Sequence, residues 1–146
     1  MITITHLTYE NAHLININQL NYLLSQLTSN FTPHTTDSFT KFLSQPNLYQ
    51  IAAFDKQNLI GLASLFIIQK IEVKTGLIEG VVVDKNHRKQ GIGTQLIQHL
   101  ITQAQKLNLH HIDLTSNPKR LAANKLYIRL GFFQRNTNVY RLLLFD

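Results

Sequence analysis

Two stretches of this chain gather cations where helices should begin. Arg88 and Lys89 stand just ahead of a helical pattern that opens at Ile92, and Lys119 and Arg120 fall in the first turn after Asn117-Pro118, a pair that favours a helix start. A helix N-terminus presents unpaired N–H groups and a partial positive charge, so each cation there costs about a few tenths of a kcal/mol at an exposed site. The placement turns favourable when an anion occupies the helix end. Gly91 and Gly93 point the same way, because missing side chains let a ligand approach amides that together form an anion-binding nest. A Walker phosphate loop is excluded, since Thr94 follows Gly93 with no lysine between them. A dinucleotide fingerprint needs a third glycine at position 96 and an early first strand, and position 96 is Leu96.

The elements around this turn place it. Ahead of it, residues 77–83 read as a strand in which Val81, Val82 and Val83 are apolar on both faces, as a central strand requires. Behind it, Ile92, Leu96, Ile97, Leu100, Ile101, Ala104 and Leu107 form the apolar stripe of a helix over 92–107, and Asn108 is suited to a left-handed stop. Further upstream the pattern predicts a strand over 2–7, a helix over about 9–27, and a second helix from Thr36 or Asp37 with Phe39, Phe42 and Leu43 on one face. Strands over 48–55 and 59–69, joined by the polar turn 56–58, should form a hairpin. Downstream come a strand over 111–114, a helix over about 118–130, and closing strands around 132–134 and 139–145. A strand-helix-strand unit makes parallel neighbours through a right-handed crossover. The expectation is a mixed α/β sheet, antiparallel at its start and parallel at its middle.

Composition narrows the partners. A chain of 146 residues with 44% hydrophobic content fits a single domain, 1–146, with a proper core. No apolar run is long enough to cross a bilayer, and the first residues lack the pattern of a signal peptide, so the expected location is the cytoplasm, with no membrane partner. The absence of cysteine excludes disulfides and thiolate chemistry. A net charge of +6 suggests a polyanionic partner: nucleic acid, a membrane surface or a phosphorylated cofactor.

The run Arg88-Lys89-Gln90-Gly91-Ile92-Gly93 matches the Arg/Gln-x-x-Gly-x-Gly/Ala signature of the GNAT superfamily of N-acetyltransferases. The resemblance covers about residues 77–141 and includes "AANKLYIRLGFFQ", similar to that family's Ala-x-x-x-Tyr-x-x-x-Gly-Phe element. It implies a GNAT fold of about six to seven strands with a splayed central parallel pair and about four helices. It also implies acetyl-CoA as cosubstrate and no metal, with the pyrophosphate held by backbone amides from Gln90 through Gly91, Ile92 and Gly93 to Thr94, beside Arg88 and Lys89. Family members splay the strand that here carries Val81, Val82 and Val83, commonly with a bulge. Its free main-chain groups then bond the pantetheine arm, and an N–H near Val81 or Val82 stabilises the oxyanion of a tetrahedral intermediate. Gly80 fits a strand that a ligand approaches closely. Where much of the family has an asparagine on CoA, this chain has Arg120, which could meet a CoA phosphate; Asn124 is the alternative carrier of that contact.

Acetyl transfer to an amine poses two proton problems. An alkylammonium of pKa about 10 must be deprotonated, and the departing thiolate must be neutralised. The family often has a glutamate at the position of Glu79, acting directly or through water. Strand alternation puts Glu79 on the face of Val81 and Val83 unless a bulge intervenes, and because a free carboxylate is a weak base, either burial raises its pKa or water carries the proton. Tyr127 is the candidate acid for the thiolate.

The remaining residues carry less. Adjacent His110 and His111 point to opposite faces of a strand and no histidine-carboxylate spacing suggests a metal. Ser64 and Ser116 lack a nucleophile-elbow context. Lys125, Arg129, Arg135 and Arg141 are too scattered for a nucleic-acid stripe, so no specific nucleic acid is expected. The acceptor should enter beside the first two helices, with Phe31, His34, Phe39, Phe66 and Gly80 as candidate walls. With eight acidic residues in the chain, a small primary amine bearing a carboxylate or phosphate suits it better than a polycation. A peptide N-terminus or lysine is the alternative acceptor, a noncatalytic acyl-CoA sensor or basic nucleic-acid module the alternative class, and a homodimer stays open.

Overall fold

The computed structural model describes residues 1–145, which form two compact units, 1–115 and 116–145. The first is built on a five-stranded sheet of order β1-β2-β3-β4-β5: β1 Ile2–Leu7, β2 Leu48–Asp55, β3 Asn58–Gln69, β4 Lys74–Val83 and β5 Ile112–Asp113. β1 through β4 pair antiparallel, and only β4 and β5 run parallel. The expected hairpin is β2-β3, closed by a tight turn in which Lys56 takes a left-handed conformation, φ 57°.

Two helical layers enclose this sheet. α1 (Ile17–Leu27) and α2 (Thr36–Leu43) cover one face, where Leu20, Leu23, Phe39 and Leu43 pack with Ala52, Leu62 and Val82. α3 (Ile92–Lys106) covers the other. A methyl group on Gly61 would lie 3.2 Å from the Leu96 side chain and 3.3 Å from Ala53, and Ala53 points away from the face of its neighbour Ala52. Strands buried on both sides explain why residues 59–65 and 50–54 are continuously apolar or neutral, without alternation.

Two expectations about helices change for local reasons. The segment expected as a helix over 9–27 is a 3-10 turn at Ala12–Leu14 followed by α1, because Asn16 accepts from the N–H groups of Asn18 and Gln19 at 3.0 and 3.1 Å and fixes the helix start there. In the second unit the helix is α4, Leu121–Arg129, so Arg120 is its N-cap and Lys119 precedes it; neither lies in its first turn.

The sheet also differs from expectation. It has five strands among the described residues, against the six to seven expected, and the parallel pair forms its edge, not its middle. Residues 132–134 and 139–145 are rich in the apolar and aromatic residues of strands, yet no ladder forms there among the described residues. A strand requires a hydrogen-bonding neighbour, and apolar patterning does not supply one.

Leu96→Ala should destabilise the protein by about 2–5 kcal/mol, since the side chain is fully buried and the cavity cannot close completely. Asn16→Ala should cost about 1 kcal/mol through the lost cap. Chemical denaturation of the two variants checks this order, and a larger loss at Asn16 would contradict the assigned core.

Candidate active site

The site begins with an irregularity in β4. Glu79 pairs with Ser64 and Val82 with Leu62, so three steps along β4 match two along β3. The extra residue makes a bulge at Gly80 and Val81, and Gly80 takes φ 63°, which its lack of a side chain permits. The bulge moves Glu79 off the face of Val81 and Val83, where unbroken alternation would put it, and onto the face of Val82, the side covered by α1 and α2.

On its other edge β4 is almost free. β5 pairs with it only at Gly76 and Leu77, anchored by Gly76 N–H donating to the His111 carbonyl at 3.0 Å. At its far end, Asp84 N–H donates to the Ile60 carbonyl of β3 at 2.8 Å. Alternation between these two bonds assigns the main-chain groups of Ile78 and Val83 to the edge that β5 leaves open. The parallel pairing therefore ends at Leu77, with Val81, Val82 and Val83 beyond the last rung.

The chain then turns into α3 through the cation-rich loop. Lys89 and Gly91 both adopt left-handed backbone, φ 64° and 79°, so successive N–H groups turn inward as a nest. Gly91 is the N-cap of α3 and no side chain caps that helix end. A Cβ on Gly91 would meet nothing within 4 Å, so the space beside this residue is open. Arg88, Lys89 and Gln90 are exposed around it, while Ile92 is buried and pins the helix to the sheet. Gly93 and Thr94 follow in the first turn, half-buried. These residues fit a pyrophosphate: an uncapped helix start, a nest and two flanking cations.

A network absent from the sequence reading holds the loop. Asp84, 8% exposed, accepts from Gln26 Nε2 at 2.8 Å and pairs with His87 Nδ1 at 2.9 Å; Gln26 also accepts from Lys85 N–H at 2.9 Å. Burial pushes the Asp84 carboxyl up, but the hydrogen bonds from Gln26 and His87 and the charge of His87 outweigh it, and the pKa falls below its ordinary value. Arg88 Nε donates to the Val83 carbonyl at 3.1 Å, tying the loop back to the strand. The available signal was an aspartate at a strand end with a histidine three residues on.

Under α1 and α2 the bulge opens onto a cavity of about 220 Å³. His34, Phe39, Phe66, Glu79 and Gly80 line it, joined by the buried pair Gln50 and Ser64. Phe31 is not among its lining residues. Ser64 Oγ donates to Gln50 Oε1, and Gln50 Nε2 donates to the Ala63 carbonyl at 3.1 Å, so the floor is polar and internally satisfied. Glu79 is exposed at the cavity, open to water. A second cavity, about 370 Å³, lies on the opposite face against β1, β2 and α3 and has no carboxylate in its lining.

In the second unit, Tyr127 is buried edge-on against Phe132, with ring centroids 5.8 Å apart. Burial pushes its phenol up, opposed by the Arg120 charge, so the hydroxyl stays protonated at neutral pH. Asn124 Nδ2 donates to the Asn117 carbonyl at 3.0 Å and closes the turn before α4, which gives it a structural occupation.

Residues 16–132 match the family model described as Acetyltransferase (GNAT) family. The chain belongs to the GNAT acetyltransferase family. Members of that family are acyltransferases that use acetyl-CoA as cosubstrate. The chain is 29% identical over 100 residues to an aminoalkylphosphonate N-acetyltransferase of Salmonella typhimurium, covering 67% of this chain and 65% of the relative. It is 29% identical over 72 residues to the ribosomal protein bS18-alanine N-acetyltransferase of Escherichia coli, covering 49% of each. The chain thus spans about half to two thirds of the length of these relatives. Its fold matches the crystal structure of an aminoglycoside acetyltransferase from an uncultured soil metagenomic sample with a TM-score of 0.84, at 19% identity, over 99% of this chain and 97% of the other. Among the described residues no group of three or more His, Asp or Glu could hold a metal, and no helix is long and apolar enough to cross a membrane.

Gly91→Val should weaken acetyl-CoA binding by about tenfold or more while the protein stays folded, because a branched side chain costs about 1–2 kcal/mol at φ 79° and covers the amides. Calorimetric titration checks this; unchanged affinity would remove the nest from the binding site.

Proposed function

We propose that this chain is a single GNAT domain that transfers acetyl from acetyl-CoA to the primary amine of a small molecule, by direct attack of the amine on the thioester. The observation that carries this reading is the coincidence at the β4 bulge: an open strand edge continuing into an anion nest, with a carboxylate beside a cavity of largely apolar walls and a polar floor on the adjacent face.

Bound acetyl-CoA would supply the acetyl thioester and its leaving thiolate. The nest from Gln90 to Thr94, with Arg88 and Lys89, would hold its pyrophosphate, and the open edge near Val81 to Val83 would bond its arm and polarise the acetyl carbonyl. Glu79 would attract the ammonium and begin its deprotonation through water. Tyr127, kept protonated by burial, would give its proton to the thiolate. Arg120 would meet a CoA phosphate; Asn124, occupied by Asn117, is the weaker carrier of that contact.

The cavity favours one kind of acceptor. Its lining holds one carboxylate, aromatic walls and no lysine or arginine, which suits an amine on an apolar or aromatic body better than one bearing a phosphonate or carboxylate. The relatives acting on an aminoalkylphosphonate and on a ribosomal protein define the contrasting arms of a panel.

Thiol release should be greatest with small apolar or aromatic primary amines and weak with aminoalkylphosphonates and alanine-terminated peptides. Tyr127→Phe should keep acetyl-CoA affinity and slow the chemical step by about 100-fold to 10,000-fold. Glu79→Gln should lose most at low pH, where the amine is protonated, and recover as pH rises. No thiol release with any amine would refute the enzyme reading, and a uniform loss at every pH would make Glu79 a positioning group.

A further inference from the structure

The acceptor cavity contains one imidazole, and one of its ring nitrogens is held by a serine hydroxyl. His34 precedes α2 and lines the cavity that Glu79 also lines. Asn21 clamps its main chain from α1: His34 N–H donates to Asn21 Oδ1 at 2.8 Å, and Asn21 Nδ2 donates to the His34 carbonyl at 2.9 Å. Phe39 and Phe42 bracket the ring at centroid distances of 5.6 and 6.1 Å.

The decisive contact is at Nδ1, which lies 2.8 Å from Ser38 Oγ. That hydroxyl is already engaged in the capping box of α2. It accepts from Thr35 N–H at 2.9 Å and donates its own proton to the Thr35 carbonyl at 3.2 Å. When that proton goes to the Thr35 carbonyl, Ser38 Oγ accepts from His34, the imidazole proton sits on Nδ1 and Nε2 keeps a free lone pair; donation to Nδ1 instead would give the opposite tautomer, and the nitrogen-15 measurement below distinguishes the two.

We propose that His34 is the proton acceptor for the amine in this cavity, with Nε2 taking, directly or through one water, the proton that Glu79 helps to draw from the ammonium. The proposal rests on the acetyltransferase reading above. The ammonium N–H bond breaks and an Nε2–H bond forms, giving a free amine and an imidazolium. When the amine nitrogen bonds to the acetyl carbon and the C–S bond breaks, Tyr127 would protonate the departing thiolate, the second N–H proton would restore the phenol, and the imidazolium returns its proton to solvent.

Burial lowers the His34 pKa, so the ring is neutral at physiological pH and able to accept. The charged groups facing it are few. Glu79 comes from β4; α1 contributes no charged residue and only the exposed Tyr22 among titratable ones; on α2, Asp37 and Lys41 pair with each other at 3.4 Å in solvent.

Nitrogen-15 NMR of the free protein tests the arrangement without any turnover. The expected result is a neutral His34 protonated at Nδ1 that titrates below about 6.5; protonation at Nε2 would overturn the proposal. Kinetics give the second arm. The acid limb of kcat/KM should follow the His34 titration, and His34→Asn, which keeps an amide near Ser38 Oγ, should remove that limb and lower kcat/KM about 100-fold or more with acetyl-CoA affinity unchanged. Should the Asn substitution disturb folding, His34→Gly with added imidazole replaces it, and restored turnover is expected. Full activity of a folded His34 variant across pH overturns the role, whereas absence of turnover in the wild-type protein overturns the acetyltransferase reading instead.

Discussion

The constraint on which the site depends is the early loss of β5 as a partner for β4. After Leu77 the main-chain groups on that edge have no strand to bond, although the valines that follow are patterned for a strand interior. Unpaired backbone on a strand edge is satisfied by water or by a ligand that mimics a strand. An amide-bearing arm meets that need, and only one edge of one strand has to be left open for it. The bulge at Gly80 and Val81 adds the second consequence, since inserting one residue turns Glu79 onto the cavity face while Val82 and Val83 keep their own pairing with β3.

The anion nest depends on the same strand. Asp84 closes β4 and, through Gln26 and His87, fixes the loop that carries Arg88, Lys89 and Gly91. The buried Ile92 and the stripe from Leu96 to Ala104 then hold α3 against the sheet, so its uncapped start stays beside the open edge. The charge arrangement that is mildly unfavourable in the free helix becomes useful because packing, not capping, keeps the helix in place.

Residues whose roles are set by local chemistry were legible in the sequence. The glycines and cations before Ile92, the stripe of α3 and the β2-β3 hairpin declare themselves through spacing, and they appear where that spacing puts them. Features set by partners distant in sequence were not. The face of Glu79 turned on a bulge that depends on β3, and the length of β5 depended on how far β4 stays beside it. The start of α1 was decided by one asparagine cap that apolar periodicity does not register. The cavity floor of Gln50 and Ser64 was invisible for the same reason: two neutral polar residues on adjacent strands acquire meaning only when paired and buried. The apolar residues near the C-terminus suggested strands, but a ladder partner is something composition cannot supply.

The most direct test of the account is amide hydrogen exchange with and without CoA, because it reads the open edge and the nest at once and needs no knowledge of the acceptor. CoA should slow exchange in two segments together, residues 81–83 on β4 and residues 90–94 at the start of α3. Binding that leaves both segments unprotected, with slowing confined to the cavity between β1, β2 and α3, would contradict it.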